Sequence, residues 1–161
     1  AFRTILMFES RLEKRNITLE GLNSEPVQVW GDPDLIGQVI YNLFENATKF
    51  VNTGGTITFT FKDEPNSTSI AIRNTGAGIS KEELPKIFER FYKSDDSRSH
   101  DKTGLGIGLD ITKHIVRLHK AQISVSSEEG EYTEFLIRLP KKDAPAESPT
   151  ENPEKQPKDA R

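Results

Sequence analysis

The stretch Asp32-Pro33-Asp34-Leu35-Ile36-Gly37-Gln38-Val39-Ile40-Tyr41-Asn42-Leu43-Phe44-Glu45-Asn46-Ala47-Thr48-Lys49-Phe50 reads as one complete amphipathic helix. Asp32 has the short acceptor side chain of an N-cap, Pro33 suits the first helical position, and Asp34 complements the positive end of the helix dipole. Leu35, Ile36, Val39, Ile40, Leu43, Phe44 and Ala47 recur at helical spacing and give it one apolar stripe. Outward from this helix the period changes from 3.6 to 2. Ile17 to Leu22 and Val27 to Trp30 alternate as two short strands before it. Thr56 to Lys62 and Ser67 to Arg73 alternate after it, joined by Glu64-Pro65-Asn66 in a hairpin. Ser80 and Glu83 have capping-box spacing for a short helix that Pro85 ends. A polar stretch from Lys93 to Gly104 has no period and is long for a simple connection. Ile107, Ile111, Ile115 and Leu118 predict a second long helix, and Gln122 to Ser126 and Thr133 to Arg138 two last strands. This order predicts an α+β domain with helices layered on one face of a mixed sheet.

The 161 residues suffice for one domain with one core. The 22 basic and 25 acidic side chains give a net charge of -3, which offers no general attraction to nucleic acid. No apolar run approaches the ~20 residues of a membrane helix, and with no cysteine there is neither disulfide nor thiolate chemistry. From Pro140 on, the last 22 residues hold five of the nine prolines and no large apolar side chain, so residues 141–161 are expected to be a disordered tail. Ala1, followed by the helical pattern Phe2, Ile5, Leu6 and Leu12, suggests that residues 1–16 finish a helix entering from elsewhere in a longer protein. Residues 17–140 are then the folded domain.

Two features carry chemistry. Asn42, Asn46 and Lys49 lie at i, i+4 and i+7, along one edge of the apolar stripe. An amide oxygen there can complete a Mg²⁺ shell made mainly of waters and phosphates, with a lysine one turn on for a phosphate. The plainer reading is that stripe-edge amides cap loops and that Lys49 pairs with Glu45. Five of the eleven glycines fall in Asn74-Thr75-Gly76-Ala77-Gly78 and Gly104-Leu105-Gly106-Ile107-Gly108. Such turns let backbone approach a phosphate or base, or simply punctuate the chain. The second cluster matches neither the dinucleotide fingerprint nor the P-loop.

Taken together the segments resemble the ordered boxes of histidine kinases. Asn42 to Phe50 looks like the N box, Asn74 to Ile79 the G1 box, Phe88-Glu89-Arg90-Phe91-Tyr92 the F box, and Gly104 to Leu109 the G2 box. Their order and spacing match from about Phe2 to Pro140. The resemblance implies the Bergerat fold, a two-layer α/β sandwich with about five strands covered on one face by three helices. It implies ATP and Mg²⁺ as ligands, with Asn46 on the metal, Asn42 beside metal and phosphates, and Lys49 on a phosphate. Phe50 would pack on the adenine and Asn74 meet its amino group, with Gly76, Gly78 and Ile79 shaping that pocket. Tyr92 closes the F box, Lys93 and Arg98 of an ATP lid supply cations, and Gly104, Leu105, Gly106, Gly108 and Leu109 line the phosphate side. Thr133 lies near the base. Asn42, Lys49 and Arg98 are the groups expected to act on transfer itself.

One residue departs from the family pattern: Asn74 stands where the G1 box usually has Asp. An amide oxygen still accepts from an amino group, without the strength of a charge-assisted bond. Related gyrase-type and heat-shock-90-type ATPases and anti-sigma serine kinases carry Glu four residues before the metal-binding Asn, as a general base. Here that position is Asn42, which cannot take a proton, and an imidazole acceptor needs none taken. The resemblance therefore implies phosphoryl donation to a histidine on a separate phosphoacceptor domain and, through it, to a response regulator. His100, His114 and His119 lack the context of that acceptor, and His119 reads as complementing a helix dipole. The parent is expected to be a homodimer and this piece a cytoplasmic monomer with no membrane contact of its own. A nucleotide-binding module without kinase activity, and an ATPase of the same superfamily, are the alternatives.

Overall fold

Asp32 closes the N-terminus of the long helix as expected. In the computed structural model its Oδ1 accepts from the Asp34 and Leu35 amides at 2.9 and 3.0 Å. The structure describes residues 5–22, 25–89, 92 and 108–142. Within them lie three α-helices, α1 (Glu9–Lys14), α2 (Pro33–Phe50) and α3 (Gly108–Leu118), and five strands. The strands are β1 (Thr18–Glu20), β2 (Thr56–Asp63), β3 (Ser67–Thr75), β4 (Gln122–Glu128) and β5 (Tyr132–Pro140). They form one sheet in the order β1-β2-β3-β5-β4. β1 runs parallel to β2 and every other pair is antiparallel, so the sheet is mixed.

Register sorts the side chains of one sheet face into rows. Phe59, Ile72, Phe135 and Val125 lie side by side across four strands, and Phe61, Ile70, Ile137 and Ile123 form the next row. These rows meet Val39, Ile40, Leu43, Phe44 and Ala47 of α2 and Ile115 and Val116 of α3 in a single core. Each large apolar side chain so buried contributes roughly 2 kcal/mol. Phe44 lies at the centre, with its ring 5.3 Å from Phe8 and 5.5 Å from Phe59. Through Phe8 and the buried Leu12, the entering segment and α1 are packed onto the same core.

Three local expectations give way. Val27 to Trp30 forms no strand, because both sides of β3 are taken by β2 and β5 and three of these four residues are exposed. The segment is held instead by the Thr68 hydroxyl, which donates to the Gln28 carbonyl at 2.8 Å, and the Lys142 ammonium lies over the Trp30 ring. Ser80 and Glu83 make no reciprocal capping box. The Ser80 hydroxyl donates to the Glu83 carboxylate at 3.3 Å, and the helix is a single 3-10 turn, Leu84–Lys86, around Pro85. On α3 the buried residues are Thr112, Ile115 and Val116, while Ile111 and Leu118 are exposed. That rotation points Thr112 at α2, where it meets Asn42. Ile107 and the tail from residue 143 lie outside the described residues.

Two further details fix the frame. His119 Nδ1 donates to the Ile115 carbonyl at 2.9 Å and Nε2 accepts the Asp32 N–H at 3.1 Å, so the ring ties the end of α3 to the cap of α2. Its Nδ1 contact meets a carbonyl in the last turn of α3, at the helix end where the sequence places it. At the β2–β3 turn, hydroxyls of Ser67 and Ser69 both donate to Glu64, which together with nearby Arg138 hold its carboxyl below the usual range. Gly37 sits exposed within α2 with open space where a Cβ would lie. Gly37→Ala is expected to raise stability by about 0.5–1 kcal/mol, read as a higher thermal midpoint, because alanine loses less backbone entropy in a helix.

Candidate nucleotide-binding site

The buried sheet face changes from apolar to polar in one row. Next to the row of Phe59, Ile72, Phe135 and Val125, the register places Ile57, Asn74, Thr133 and Ser127 side by side. Asn74 and Thr133 are 4% and 5% exposed, so they face the layer beneath the helices and not bulk water. Their hydrogen bonds fix which atoms remain available. Asn74 Nδ2 donates to the Thr75 carbonyl at 3.0 Å. A carbonyl can only accept, so this contact sets the amide's orientation and leaves Oδ1 as the end of the side chain that can accept from a ligand. Ser127 has one proton, given to the Tyr132 carbonyl at 2.6 Å, and it accepts the Ile79 N–H at 2.8 Å. The 3.0 Å contact between Ser127 and Thr133 must then use the Thr133 proton, which leaves Thr133 oxygen lone pairs free. Asn74 Oδ1 and Thr133 Oγ1 are thus two adjacent acceptors, suited to an amino group such as that of adenine.

The C-terminal half of α2 borders this row. Asn46 is half-buried on the helix, and its amide has no partner among the described residues. Lys49 makes the expected i, i+4 pair with Glu45 at 3.7 Å. Phe50 presents an exposed ring, 41% accessible, at the helix end. Asn42 is differently used. It is buried, its Nδ2 donates to the Gly108 carbonyl at 3.1 Å and to the Thr112 hydroxyl at 3.2 Å, and its Oδ1 accepts from Gln38 at 2.8 Å. Here it braces the N box against the end of the G2 box. Among the described residues no group of three or more His, Asp or Glu could hold a metal ion, so any divalent cation would rely on few protein ligands.

The glycines of the G1 box are required by close approach. A Cβ on Gly76 would overlap the Phe50 carbonyl oxygen, and one on Gly78 the Glu128 carbonyl oxygen. The Gly76 N–H donates to the Glu131 carbonyl at 3.1 Å and the Gly130 N–H to the Ala77 carbonyl at 2.7 Å, so the turn lies against the β4–β5 hairpin. Ile79, Phe88 and Leu109 pack partly buried on the core. Tyr92 does the same and donates its hydroxyl to Glu83 at 3.0 Å. Lys93, Arg98, Gly104, Leu105, Gly106 and His100 lie outside the described residues, as do Arg90 and Phe91. Sequence reading missed Ser127, whose hydroxyl orients Thr133, and Thr75, whose carbonyl orients Asn74. A register shared by three strands reveals them, and no motif does.

The sequence profile of the histidine kinase-, DNA gyrase B- and HSP90-like ATPases matches residues 31–143, which contain this entire arrangement. The chain belongs to that ATPase family. The sensor protein SrrB of Staphylococcus aureus is 41% identical over 115 residues, covering 71% of this chain and 20% of SrrB. The chain therefore spans about a fifth of the curated relatives it matches. The solved catalytic domain of histidine kinase ThkA aligns over 86% of this chain and 88% of its own, with 28% identity and a TM-score of 0.72. The structure of ThkA in complex with the response regulator TrrA matches 86% of this chain and 38% of that one, at 25% identity and a TM-score of 0.69. Within the ATPase family, the five-stranded mixed sheet and its three helices are the histidine kinase catalytic fold. Among the described residues no helix is long and apolar enough to cross a membrane.

Proposed function

We propose that this domain binds Mg²⁺·ATP over the polar row and donates the γ-phosphoryl group to a histidine on a separate phosphoacceptor domain, which passes it to a response regulator. The observation that carries the reading is the pairing of Asn74 and Thr133 in one polar row of the covered sheet face, with Asn74 Oδ1 and Thr133 Oγ1 able to accept and with the half-buried Asn46 on the helix that borders the row. These polar groups match a ligand with an amino group at one end and a metal-chelated polyphosphate at the other. Asn74 and Thr133 hold the base, with Gly76, Gly78 and Ile79 as its wall and Phe50 against its plane. Asn46 holds the metal, which when bound neutralises phosphate charge during transfer. Lys49, Tyr92, Lys93 and Arg98 complete the cationic and polar side, with Gly104, Leu105, Gly106, Gly108 and Leu109 around the phosphates.

Asn42 argues for the acceptor. Its amide is occupied on both sides, and it offers no carboxylate to deprotonate a water or hydroxyl. A neutral imidazole nitrogen attacks without such help, so catalysis reduces to positioning and charge neutralisation. The acceptor helix, the dimer contacts and any membrane anchor are assigned to other parts of the parent, this domain being a cytoplasmic monomeric piece.

The test is calorimetric titration of Mg²⁺·ATP into the chain, with magnesium-free samples, followed by transfer of labelled phosphate to the parent's phosphoacceptor domain added in trans. Saturable binding strengthened by magnesium, then label on histidine, is expected. A folded chain that takes up no nucleotide would sink the proposal. Binding without transfer would leave a nucleotide-binding module, and steady phosphate release by the chain alone would restore an ATPase. In the same titration Asn74→Ala should weaken ATP roughly tenfold, the worth of one neutral hydrogen bond in a buried site. Unchanged affinity would remove Asn74 from the base contacts.

A further inference from the structure

We infer that Arg15, which directly follows α1, is a positioning residue for the nucleotide base, acting through one peptide unit and one carbonyl. The inference rests on the nucleotide site proposed above. The guanidinium of Arg15 donates through Nη1 to the Thr48 carbonyl at 2.6 Å and through Nη2 to the Val51 carbonyl. These two carbonyls end α2, and the two residues between them are Lys49 and Phe50. A fixed fork with full positive charge at the negative end of the helix dipole is a strong cap. Thr48 and Val51 are almost fully buried, so water cannot readily replace it.

The Val51 carbonyl belongs to the same peptide unit as the Asn52 N–H. That N–H donates to the Thr75 carbonyl at 3.3 Å. The same Thr75 carbonyl accepts from Asn74 Nδ2 at 3.0 Å, the contact that turns Asn74 Oδ1 toward its role as acceptor. A second bond runs in parallel, the Thr75 hydroxyl donating to Asn52 Oδ1 at 2.6 Å. The chain of contacts from cation to base acceptor is therefore continuous: the guanidinium on the Val51 carbonyl polarises the Asn52 N–H, and Asn52 and Asn74 meet at the one Thr75 oxygen, which positions both donors. Arg15 is also fixed from behind, its own carbonyl accepting the Gly54 N–H at 2.8 Å. A shift of α1 that withdraws the guanidinium would loosen both the end of α2 and the orientation of Asn74. The entering helix and the base pocket thus share a residue.

The experiment compares the chain with Arg15→Ala and Arg15→Lys well below their unfolding temperatures. It measures the affinity for Mg²⁺·ATP, the ratio of ATP to GTP affinity, and the NMR resonances of the Asn74 side-chain amide. Arg15→Ala should weaken ATP about tenfold and reduce the preference for ATP over GTP, within the usual range of coupling between sites. It should also shift the Asn74 amide resonances, and Arg15→Lys, which keeps the charge but not the fork, should restore affinity only in part. A lower melting temperature with unchanged affinity, preference and Asn74 resonances would make Arg15 merely structural and overturn the inference. If the unaltered chain binds no nucleotide, the nucleotide reading fails separately. The Asn74 resonances then decide, a shift in Arg15→Ala sustaining the link and its absence refuting it.

Discussion

Asn46→Ala should lower the affinity for Mg²⁺·ATP about a hundredfold, close to ~2.7 kcal/mol, while leaving magnesium-free binding and the fold almost unchanged. The side chain sits half-buried within α2, and among the described residues its amide bonds to nothing. Its removal therefore orphans no protein group, and alanine is the better helix former. Whatever is lost must be lost to the ligand. Mg²⁺ takes few protein ligands and keeps most of its shell as water and phosphate, so one amide oxygen is a large share of what the protein supplies. The calorimetric readout is the difference between titrations with and without magnesium. Should Asn46→Ala keep the full magnesium enhancement, the metal is held elsewhere and Asn46 is only a polar residue at the edge of a stripe.

Asn42 makes the contrast, although sequence places it one turn from Asn46 on the same edge. The spacing of Asn42, Asn46 and Lys49 correctly puts them together, because helical period alone dictates it. Whether an amide is spent inside the protein depends on what the chain brings to it from 66 and 70 residues away. Gly108 and Thr112 do so only once α3 has packed, with Thr112 inward instead of Ile111. The strongest local signals translate directly into structure for the same reason: Asp32-Pro33-Asp34 and the β2–β3 hairpin need only neighbours in sequence. Val27 to Trp30 alternates equally well yet forms no strand, since pairing needs a free sheet edge beside it and alternation says nothing of edges. The base pocket stands between these cases. Asn74 and Gly76 are legible as a cluster after a strand, whereas the row they join with Thr133 and Ser127 exists only through the register of β3, β5 and β4.

Gly76→Ala should both destabilise the chain, by roughly 3 kcal/mol, and abolish high-affinity nucleotide binding. The backbone at Gly76 has φ +152°, a region L side chains rarely adopt, and the added Cβ would overlap the Phe50 carbonyl oxygen. Strain of this kind and the enforced separation of packed backbone each cost about 1–3 kcal/mol. A shift of the thermal midpoint on the order of 10 °C follows for a domain of this size. The separation falls at the bridge where Val51 pairs with Gly76, the junction between the end of α2 and the G1 turn. Phe50 lies on one side of that junction and Asn74 on the other, so widening it moves the two surfaces that would hold the base from opposite directions. Gly130→Ala is the matched control, for Gly130 also has positive φ but nothing stands within 4 Å of an added Cβ. It should lose some stability through backbone strain and keep its nucleotide. Equal loss of binding in both variants would mean that destabilisation alone empties the site. Loss confined to Gly76→Ala would place the base against the seam between the end of α2 and the G1 turn.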